Sequence, residues 1–236
     1  AFIIAMALSV MGTPLLIRFL VLHQYGQFIR QDGPTQHLTK RGTPTMGGVV
    51  IILATVVAWL IGSFVAGAGP SWSGLLLVFL FVGLGVIGLL DDGIKIMRQR
   101  SLGLHPSGKI IGQVLIASAF ALGTLILPNE YGEYPGTLAI SFARPTALTL
   151  GFAGLALGVV LYLIWTNLIV TAWSNATNLT DGLDGLATGV SIFVFGAYTF
   201  IAYFQRIQSC TQLGANPANC YSTRDPLDLA IFCAAL

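Results

Sequence analysis

Long apolar stretches alternate with short polar segments along the whole chain. Six of the stretches are long enough to cross a hydrocarbon core of about 30 Å, which takes roughly 20 helical residues. They run approximately over residues 1–22, 46–66, 73–90, 110–127, 147–172 and 185–205. A seventh stretch begins at Leu227 and continues to Leu236. The pattern predicts an all-α polytopic membrane protein with six complete transmembrane helices and the start of a seventh.

The composition supports this fold class. Hydrophobic residues make up 55% of the chain and charged residues 8%, and the mean hydropathy is +0.82. A chain of this kind cannot hide its apolar surface as a soluble globule. We expect one helical membrane domain over residues 1–236. Because the chain starts without Met and stops within an apolar stretch, we also expect a fragment truncated at its C-terminus.

Basic residues predict the orientation in the membrane. Lys and Arg close to the ends of membrane spans are retained in the cytoplasm. Eight of them lie on or beside the loops that follow the first and third stretches: Arg18, Arg30, Lys40, Arg41, Lys95, Arg98, Arg100 and Lys109. The opposite loops contain three, which are Arg144, Arg206 and Arg224. The bias places the first two loops, and with them the loop over 173–184, on the cytoplasmic side.

Two features are expected in the outer loops. Cys210 and Cys220 share the loop over 206–226, where an oxidising environment allows a disulfide, although two free thiols are the alternative. The loop over 128–146 is punctuated by Pro and Gly, and its residues 137–142 have the composition of a short strand. We predict a β-hairpin there.

The first inner loop carries a candidate anion site. Lys40 and Arg41 precede the run Thr43-Pro44-Thr45-Met46-Gly47-Gly48 at the start of the second stretch. Small residues, hydroxyls and cations beside a helix start allow close approach of a phosphate, with Lys40 and Thr45 among the donors. The alternative is a basic topology anchor followed by an easy helix start, and the loop alone does not decide between them.

The second inner loop carries an acidic pair. Asp91 and Asp92 directly follow an apolar stretch, and Lys95 comes soon after. If the helix continues, Asp91 and Lys95 lie on one face while Asp92 points roughly 100° away. Mg²⁺ accepts oxygen ligands and usually takes one or two protein carboxylates with substrate phosphates. A salt-bridged helix end is the alternative, but negative charge there opposes both the helix dipole and the positive-inside bias.

The third inner loop repeats polar residues at intervals of three. Asn175, Asn178, Asp181 and Asp184 stand among glycines, and a helical turn aligns such residues. Capping of the sixth helix by Asp181 or Asp184 is the structural alternative, but it accounts for one residue only. Two more carboxylates and two amides are therefore expected on the surface that holds Asp91 and Asp92.

These motifs together resemble signature sequences of a known enzyme family. The runs over 43–48, 91–95 and 178–187 are similar to those of the bacterial phospho-N-acetylmuramoyl-pentapeptide transferase (MraY) family, within the polyprenyl-phosphate N-acetylhexosamine-1-phosphate transferase superfamily. The resemblance implies a Mg²⁺-dependent transfer of phospho-MurNAc-pentapeptide from UDP-MurNAc-pentapeptide to undecaprenyl phosphate. The products are lipid I, for peptidoglycan synthesis, and UMP. It also implies a bacterial inner-membrane protein whose active site faces the cytoplasm.

The resemblance further implies roles for individual residues. Asp91 or Asp92 would act on the lipid phosphate, and the remaining catalytic residues would be Asp181 and Asp184 in the polar cleft. Substrate would be bound by Lys40, Thr45, Lys95, Lys109, Asn175 and Asn178, and the two asparagines would help to bind the nucleotide or the diphosphate. Asp92 and Asp181 would contact Mg²⁺, whose main ligand is expected beyond residue 236, as is a histidine-rich motif. The 236-residue chain alone is therefore expected to be inactive.

Two other functions are compatible with parts of the pattern. A sister enzyme that uses UDP-GlcNAc and a polyprenyl phosphate would share the acidic pair, whereas the Thr-Pro-Thr-Met-Gly-Gly run favours the muramoyl branch. A non-enzymatic ion-conducting or transport protein would place its ionisable groups near the middle of the membrane. Membrane lipids and a second copy in a homodimer are the expected partners, and no nucleic acid is expected.

Overall fold

The computed structural model describes residues 1–26, 44–67, 69–100, 102–129, 132–141, 145–181, 185–210 and 220–236. These residues form helices α1 (Phe2–Leu22), α2 (Gly48–Val65), α3 (Trp72–Met97), α4 (Pro106–Ile126), α5 (Leu155–Thr180), α6 (Leu186–Ile207) and α7 (Pro226–Ala235). The first six are long and apolar enough to cross a membrane. The predicted fold class, a helical multi-pass membrane protein with six full spans and a shorter seventh helix, is confirmed.

The β-hairpin predicted after the fourth span is also confirmed. Strands β1 (Ala139–Ser141) and β2 (Pro145–Thr149) pair antiparallel, with Ala139 opposite Thr149. The hairpin is held to the end of α4 through Gly136, whose backbone N–H donates to the Thr124 carbonyl oxygen over 2.8 Å. Farther along the chain, the sulfur atoms of Cys210 and Cys220 are joined in a disulfide of 2.04 Å.

The fifth span was predicted too early in the chain. It was expected over 147–172, but β2 occupies 145–149 and α5 begins at Leu155, directly after Gly154 with φ +107°. Apolar content does not distinguish a short strand from the first turns of a helix, so the boundary could not be read from hydropathy. The consequence concerns the third inner motif, because α5 continues to Thr180 and places Asn175 and Asn178 in helix rather than in loop.

The third span is longer than its apolar part. Helix α3 continues through the acidic pair to Met97, and it begins at an N-cap serine, Ser71, whose Oγ accepts from the Gly74 N–H over 3.0 Å. Helix α4 starts with Pro106, which suits the first helical position because its missing N–H would have no partner there. Lys109 therefore lies in the first turn of α4.

Small residues allow the helices to pack closely. Helix α4 packs between α3 and α5, α1 packs on α2, and α7 contacts α1, α2, α3 and α6. Ala58, Ala117, Ala121 and Ala202 are completely buried, as expected where membrane helices approach each other through small side chains. Because neighbouring helices alternate in direction, the starts of α2 and α4 meet the ends of α3 and α5. We call this the site end of the bundle.

Candidate active site

One lysine joins the two carboxylates of the acidic pair. Lys95 Nζ lies 2.8 Å from Asp91 Oδ2 and 2.9 Å from Asp92 Oδ1. Helical spacing produces this arrangement, because residues three and four apart on a helix are neighbours on its surface. On α3 alone, the positive charge of Lys95 balances one of the two carboxylates. The three groups together therefore keep a net negative charge unless another helix supplies a cation.

Asp91 is the more enclosed carboxylate. Its side chain is 11% exposed, and Lys109 Nζ from α4 approaches its Oδ2 to 3.4 Å. Its Oδ1 accepts a hydrogen bond of 2.9 Å from the Leu104 backbone N–H. Asp91 thus connects the end of α3 with both the segment before α4 and the first turn of that helix, and it brings two lysines together.

Asp92 is more open and has a different partner. Its side chain is 33% exposed, and its Oδ2 accepts a hydrogen bond of 3.1 Å from Thr45 Oγ1. Thr45 stands just before α2, so this contact ties the first inner motif to the second. The two adjacent carboxylates therefore have distinct surroundings, one enclosed by cations and backbone and the other held by a hydroxyl at the edge of open space.

That open space is a cavity of about 850 Å³ at the site end. Its wall contains polar groups from four helix ends and thereby unites the three motifs: Thr45, Asp91, Asp92, Lys95, Lys109, Asn178 and Asp181. Three carboxylates and two ammonium groups share one space. These groups lie at helix ends rather than near the middle of the spans, which is typical of an interfacial site and differs from the mid-membrane groups of a transport path.

A second cavity of about 840 Å³ adjoins the first. The two share Lys109, Asn178 and Asp181 in their walls. The second cavity has charged and amide groups close to these residues. The rest of its wall is mainly apolar and includes Leu84, Ile87, Ile192 and Phe195, with the hydroxyl groups of Thr188, Ser191 and Thr199 among them. A ligand that combines a charged group with a long apolar portion matches this gradient.

Asn175 is placed beside the second cavity by contacts that sequence reasoning missed. Its Nδ2 donates to Gln113 Oε1 over 3.0 Å and to the Thr171 carbonyl oxygen over 2.8 Å. Gln113 Nε2 in turn donates to Ser174 Oγ over 3.0 Å. The signal in the sequence was available, since Gln113 is the one amide in the apolar stretch 110–127 and follows Lys109 by one turn.

The remaining predicted site residues are placed as follows. Asp181 ends α5 as its C-cap residue, while the N-cap of α6 is Gly185 with φ +80°. Capping of α6 therefore does not explain Asp181. Lys40 and Asp184 lie outside the described residues.

The donor set fits Mg²⁺ only if a substrate completes it. Within the described ranges, no group of three His, Cys, Asp or Glu side chains is arranged to hold a metal ion. Mg²⁺ usually binds one or two carboxylates, keeps several waters and takes its other ligands from phosphates. Asp92 and Asp181 line one cavity and supply the oxygen donors that such a shared site requires.

Comparison with known proteins agrees with the position of the motifs. Residues 74–235 match the sequence model of "Glycosyl transferase family 4". Residues 40–52 match "Phospho-N-acetylmuramoyl-pentapeptide-transferase signature 1", the segment that ends in the first turn of α2.

Individual relatives are similar along almost the whole chain. The chain is 59% identical over 233 residues to a phospho-N-acetylmuramoyl-pentapeptide-transferase of Beutenbergia cavernae, with 99% of the chain and 65% of the relative covered. It is 54% identical over 241 residues to the protein of that name from Micrococcus luteus, covering 99% and 64%. The corresponding protein of Streptomyces griseus is 48% identical over 235 residues, with 99% and 64% covered. The chain thus spans slightly less than two thirds of the length of these curated relatives.

Proposed function

Because the chain belongs to glycosyl transferase family 4, we propose that its cavities form part of a site for transfer of a phosphosugar to a membrane-embedded polyprenyl phosphate. The donor is UDP-MurNAc-pentapeptide, the acceptor is undecaprenyl phosphate, and the products are lipid I and UMP. The main support is the meeting of three motifs around one charged cavity, with Thr45, Asp92 and Asp181 from different helix ends in its wall. The names of the relatives support the choice of substrates.

The reaction is a phosphoryl transfer. An oxygen of the lipid phosphate becomes bonded to the β-phosphorus of the UDP-sugar, and the bond from that phosphorus to the bridging oxygen breaks. The electron pair leaves with UMP, and the phosphosugar remains on the lipid as a diphosphate. Such reactions depend on positioning and on neutralising charge that accumulates on the leaving group.

The charged groups of the cavity match these needs. Lys95 and Lys109 are held beside the acidic pair, where their ammonium groups can neutralise phosphate charge. Asp91 and Asp92 act on the lipid phosphate, as a base or by holding it, and Asp92 has the larger exposed fraction of the two side chains. Asp181 and Asn178 line the same cavity. Lys40 and Asp184, which lie outside the described residues, are proposed to act at the same site on the basis of the sequence motifs.

Mg²⁺ is the proposed cofactor. Asp92 and Asp181 would hold it, together with phosphate oxygens of the substrates. When bound, the ion supplies charge neutralisation at the diphosphate. The lysines already paired with the acidic residues contribute to the same neutralisation from the protein side.

The acceptor requires both cavities. Its phosphate suits the charged cavity, and the apolar lining near Ile87 and Phe195 suits the prenyl chain. The excess of Lys and Arg on the loops of the site end supports an orientation in which that end faces the cytoplasm from the bacterial inner membrane, where nucleotide sugars are available. Assembly as a homodimer remains part of the proposal.

Release of UMP tests the proposal. The protein that carries this chain is incubated in membranes with undecaprenyl phosphate and either UDP-MurNAc-pentapeptide or UDP-GlcNAc, with Mg²⁺ or with a chelator. We expect UMP and a lipid-linked product from the muramoyl substrate only, and no product with chelator. Equal use of UDP-GlcNAc would identify the sister reaction instead. Unchanged transfer by Asp92→Asn would contradict the role of the acidic pair.

A further inference from the structure

Helices α4 and α5 are joined by polar contacts at three levels. Thr124 Oγ1 lies 2.9 Å from the Tyr162 hydroxyl oxygen, and Asn167 Nδ2 donates to Ser118 Oγ over 3.0 Å. The third level, nearest the site end, joins Gln113 to α5. Hydrogen bonds of this kind connect helices inside membranes. Of the three levels, the third lies in the wall of the second cavity, and the residues of the other two line neither of the cavities described above. The third level can therefore do more than hold helices together.

The surroundings of Asn175 determine how its amide is turned. The Thr171 carbonyl oxygen can only accept a hydrogen bond, so the amide atom that faces it at 2.8 Å must be the nitrogen. The second N–H is directed to Gln113 Oε1 at 3.0 Å. Both hydrogens of the amide are therefore in use. Its oxygen, Oδ1, has no hydrogen-bond donor among the described residues, so it is the amide atom that can bind a ligand.

The hydrogen-bond partners of Gln113 fix the orientation of its amide in the same way. Its Oε1 accepts from Asn175, and its Nε2 is therefore the atom that donates to Ser174 Oγ at 3.0 Å. Gln113 is 3% exposed, so water cannot readily replace either bond. It also lies one helical turn after Lys109, which contacts Asp91. One face of α4 thus contacts the acidic pair at one turn and the Asn175 amide at the next.

We propose that Gln113 is a positioning residue for Asn175. Gln113 Oε1 accepts from one N–H group of that amide and the Thr171 carbonyl oxygen accepts from the other. The amide oxygen, Oδ1, is then the atom that accepts from the substrate. An acceptor is repelled by phosphate oxygens and binds hydroxyl or N–H groups. Asn175 therefore recognises a donor group of the sugar nucleotide rather than its diphosphate. The inference rests on the proposed function, whose donor substrate it concerns.

Binding measurements separate this role from general packing. The protein that carries this chain is prepared in lipid nanodiscs as wild type, Gln113→Met, Asn175→Ala and the double variant, and titrated with UDP-MurNAc-pentapeptide and with UMP. Loss of a buried hydrogen bond that orients a binding group should weaken UDP-MurNAc-pentapeptide binding about tenfold in Gln113→Met. The double variant should bind no more weakly than Asn175→Ala, because both changes remove the same contact, the one between Asn175 Oδ1 and the substrate. If the affinity for UMP falls by the same factor, the N–H or O–H group that Asn175 recognises lies on the nucleoside. If UMP binding is unchanged, that group lies on the sugar or the peptide.

Two further variants serve as controls. Gln113→Glu keeps an acceptor for the Asn175 N–H and another for the Ser174 hydroxyl, so we expect binding within about threefold of wild type. Ser118→Ala removes a bond of the same length between the same helices, but away from both cavities, and should leave binding unchanged. Ser118→Ala should also leave undecaprenyl phosphate binding unchanged.

Several results would overturn the inference. One is an affinity for UDP-MurNAc-pentapeptide in Gln113→Met that equals wild type, and another is an equal loss of affinity in Gln113→Met and Gln113→Glu. The others are additive losses of affinity in the double variant and a loss in Ser118→Ala similar to that in Gln113→Met. If the wild-type protein binds the UDP-sugar but transfers no phosphosugar, the proposed function is wrong, whereas the binding data still test the positioning role of Gln113. If wild type binds no UDP-sugar, both fail.

Discussion

Thr45 Oγ1 donates a hydrogen bond to Asp92 Oδ2 over 3.1 Å, although 47 positions separate the two residues in the chain. The bond connects the segment before α2 with the end of α3 and holds the more exposed carboxylate of the acidic pair. We therefore predict that the Thr45 hydroxyl orients this carboxylate.

Thr45→Val should therefore impair catalysis while preserving the fold. Valine has nearly the same shape but cannot donate to Asp92, and a hydrogen bond to a charged group contributes about 1.5–3 kcal/mol. We expect UMP release to fall by about tenfold or more on that basis. Thr45→Ser retains the hydroxyl and is the matched control. Equal activity of the valine and serine variants would contradict the role of this bond.

The two carboxylates should differ in how they affect stability. Asp91→Asn weakens contacts with Lys95 and Lys109 and leaves both cations poorly compensated. Since those lysines are partly exposed, we expect a loss of about 1–3 kcal/mol of unfolding free energy rather than the larger cost of a fully buried pair. Asp92→Asn should lower the unfolding temperature less. Both variants should lose transfer activity.

Thermal unfolding in detergent, followed by circular dichroism, distinguishes the two variants. The expected order of unfolding temperatures is wild type, then Asp92→Asn, then Asp91→Asn. The reverse order would show that the enclosure of Asp91 does not contribute to folding stability as its contacts indicate.

Gly103→Ala should damage the site although residue 103 carries no reactive group. A Cβ atom at this position would overlap the Oδ1 and backbone oxygen of Asp91, so the segment before α4 would have to move. The bond from the Leu104 N–H to Asp91 would then be lost. We expect at least about a tenfold loss of UMP release, because small misplacements at a site for transfer reactions are costly.

Gly108→Ala is the control for that variant. Its Cβ would meet Leu104 Cδ2 at 3.8 Å, an ordinary contact, and alanine favours helix more than glycine. Activity should remain close to wild type. Loss of activity in both variants would indicate that neither the segment before α4 nor position 108 tolerates an added methyl group, rather than a specific conflict with Asp91.

Ser71→Ala should affect stability without affecting substrate binding. Ser71 caps α3 and also donates to Asp228 Oδ2 over 2.6 Å, at the end of the bundle opposite the site. Loss of the cap and of this bond should cost about 1–2 kcal/mol of unfolding free energy. Ser71→Thr should restore most of it. The KM for the UDP-sugar should be unchanged, and a clear increase would show that the two ends are coupled.

Much of the fold and part of the site could be predicted from the sequence. Apolar stretches of about 20 residues have few stable structures in a membrane other than a helix, because backbone groups must be bonded within the segment. The runs around Thr45, Asp92 and Asp181 stood out because polar groups are costly beside apolar spans. Their assembly in one cavity agrees with the expectation that the inner loops converge. The roles assigned to individual residues, including Lys40 and Asp184, remain predictions.

The boundaries of α5 and the contacts of Gln113 could not be predicted. Hydropathy treats residues 147–149 as membrane helix, whereas pairing with β1 makes them strand and moves α5 toward the site. Gln113 is an amide in an apolar stretch, but the sequence does not identify its partner on α5, which lies 62 residues away.

The sequence by itself determined that this is a helical membrane protein and which polar residues stand at the ends of its spans. Local composition and periodicity are sufficient for that, because the membrane imposes the length and polarity of each helix. Only the tertiary structure decided that Asp91 is enclosed by Lys95, Lys109 and the Leu104 N–H while Asp92 faces the cavity beside Thr45. The different surroundings of Asp91 and Asp92 depend on which helices become neighbours. Two identical residues that are adjacent in the sequence give no local indication of which one each neighbouring helix will contact.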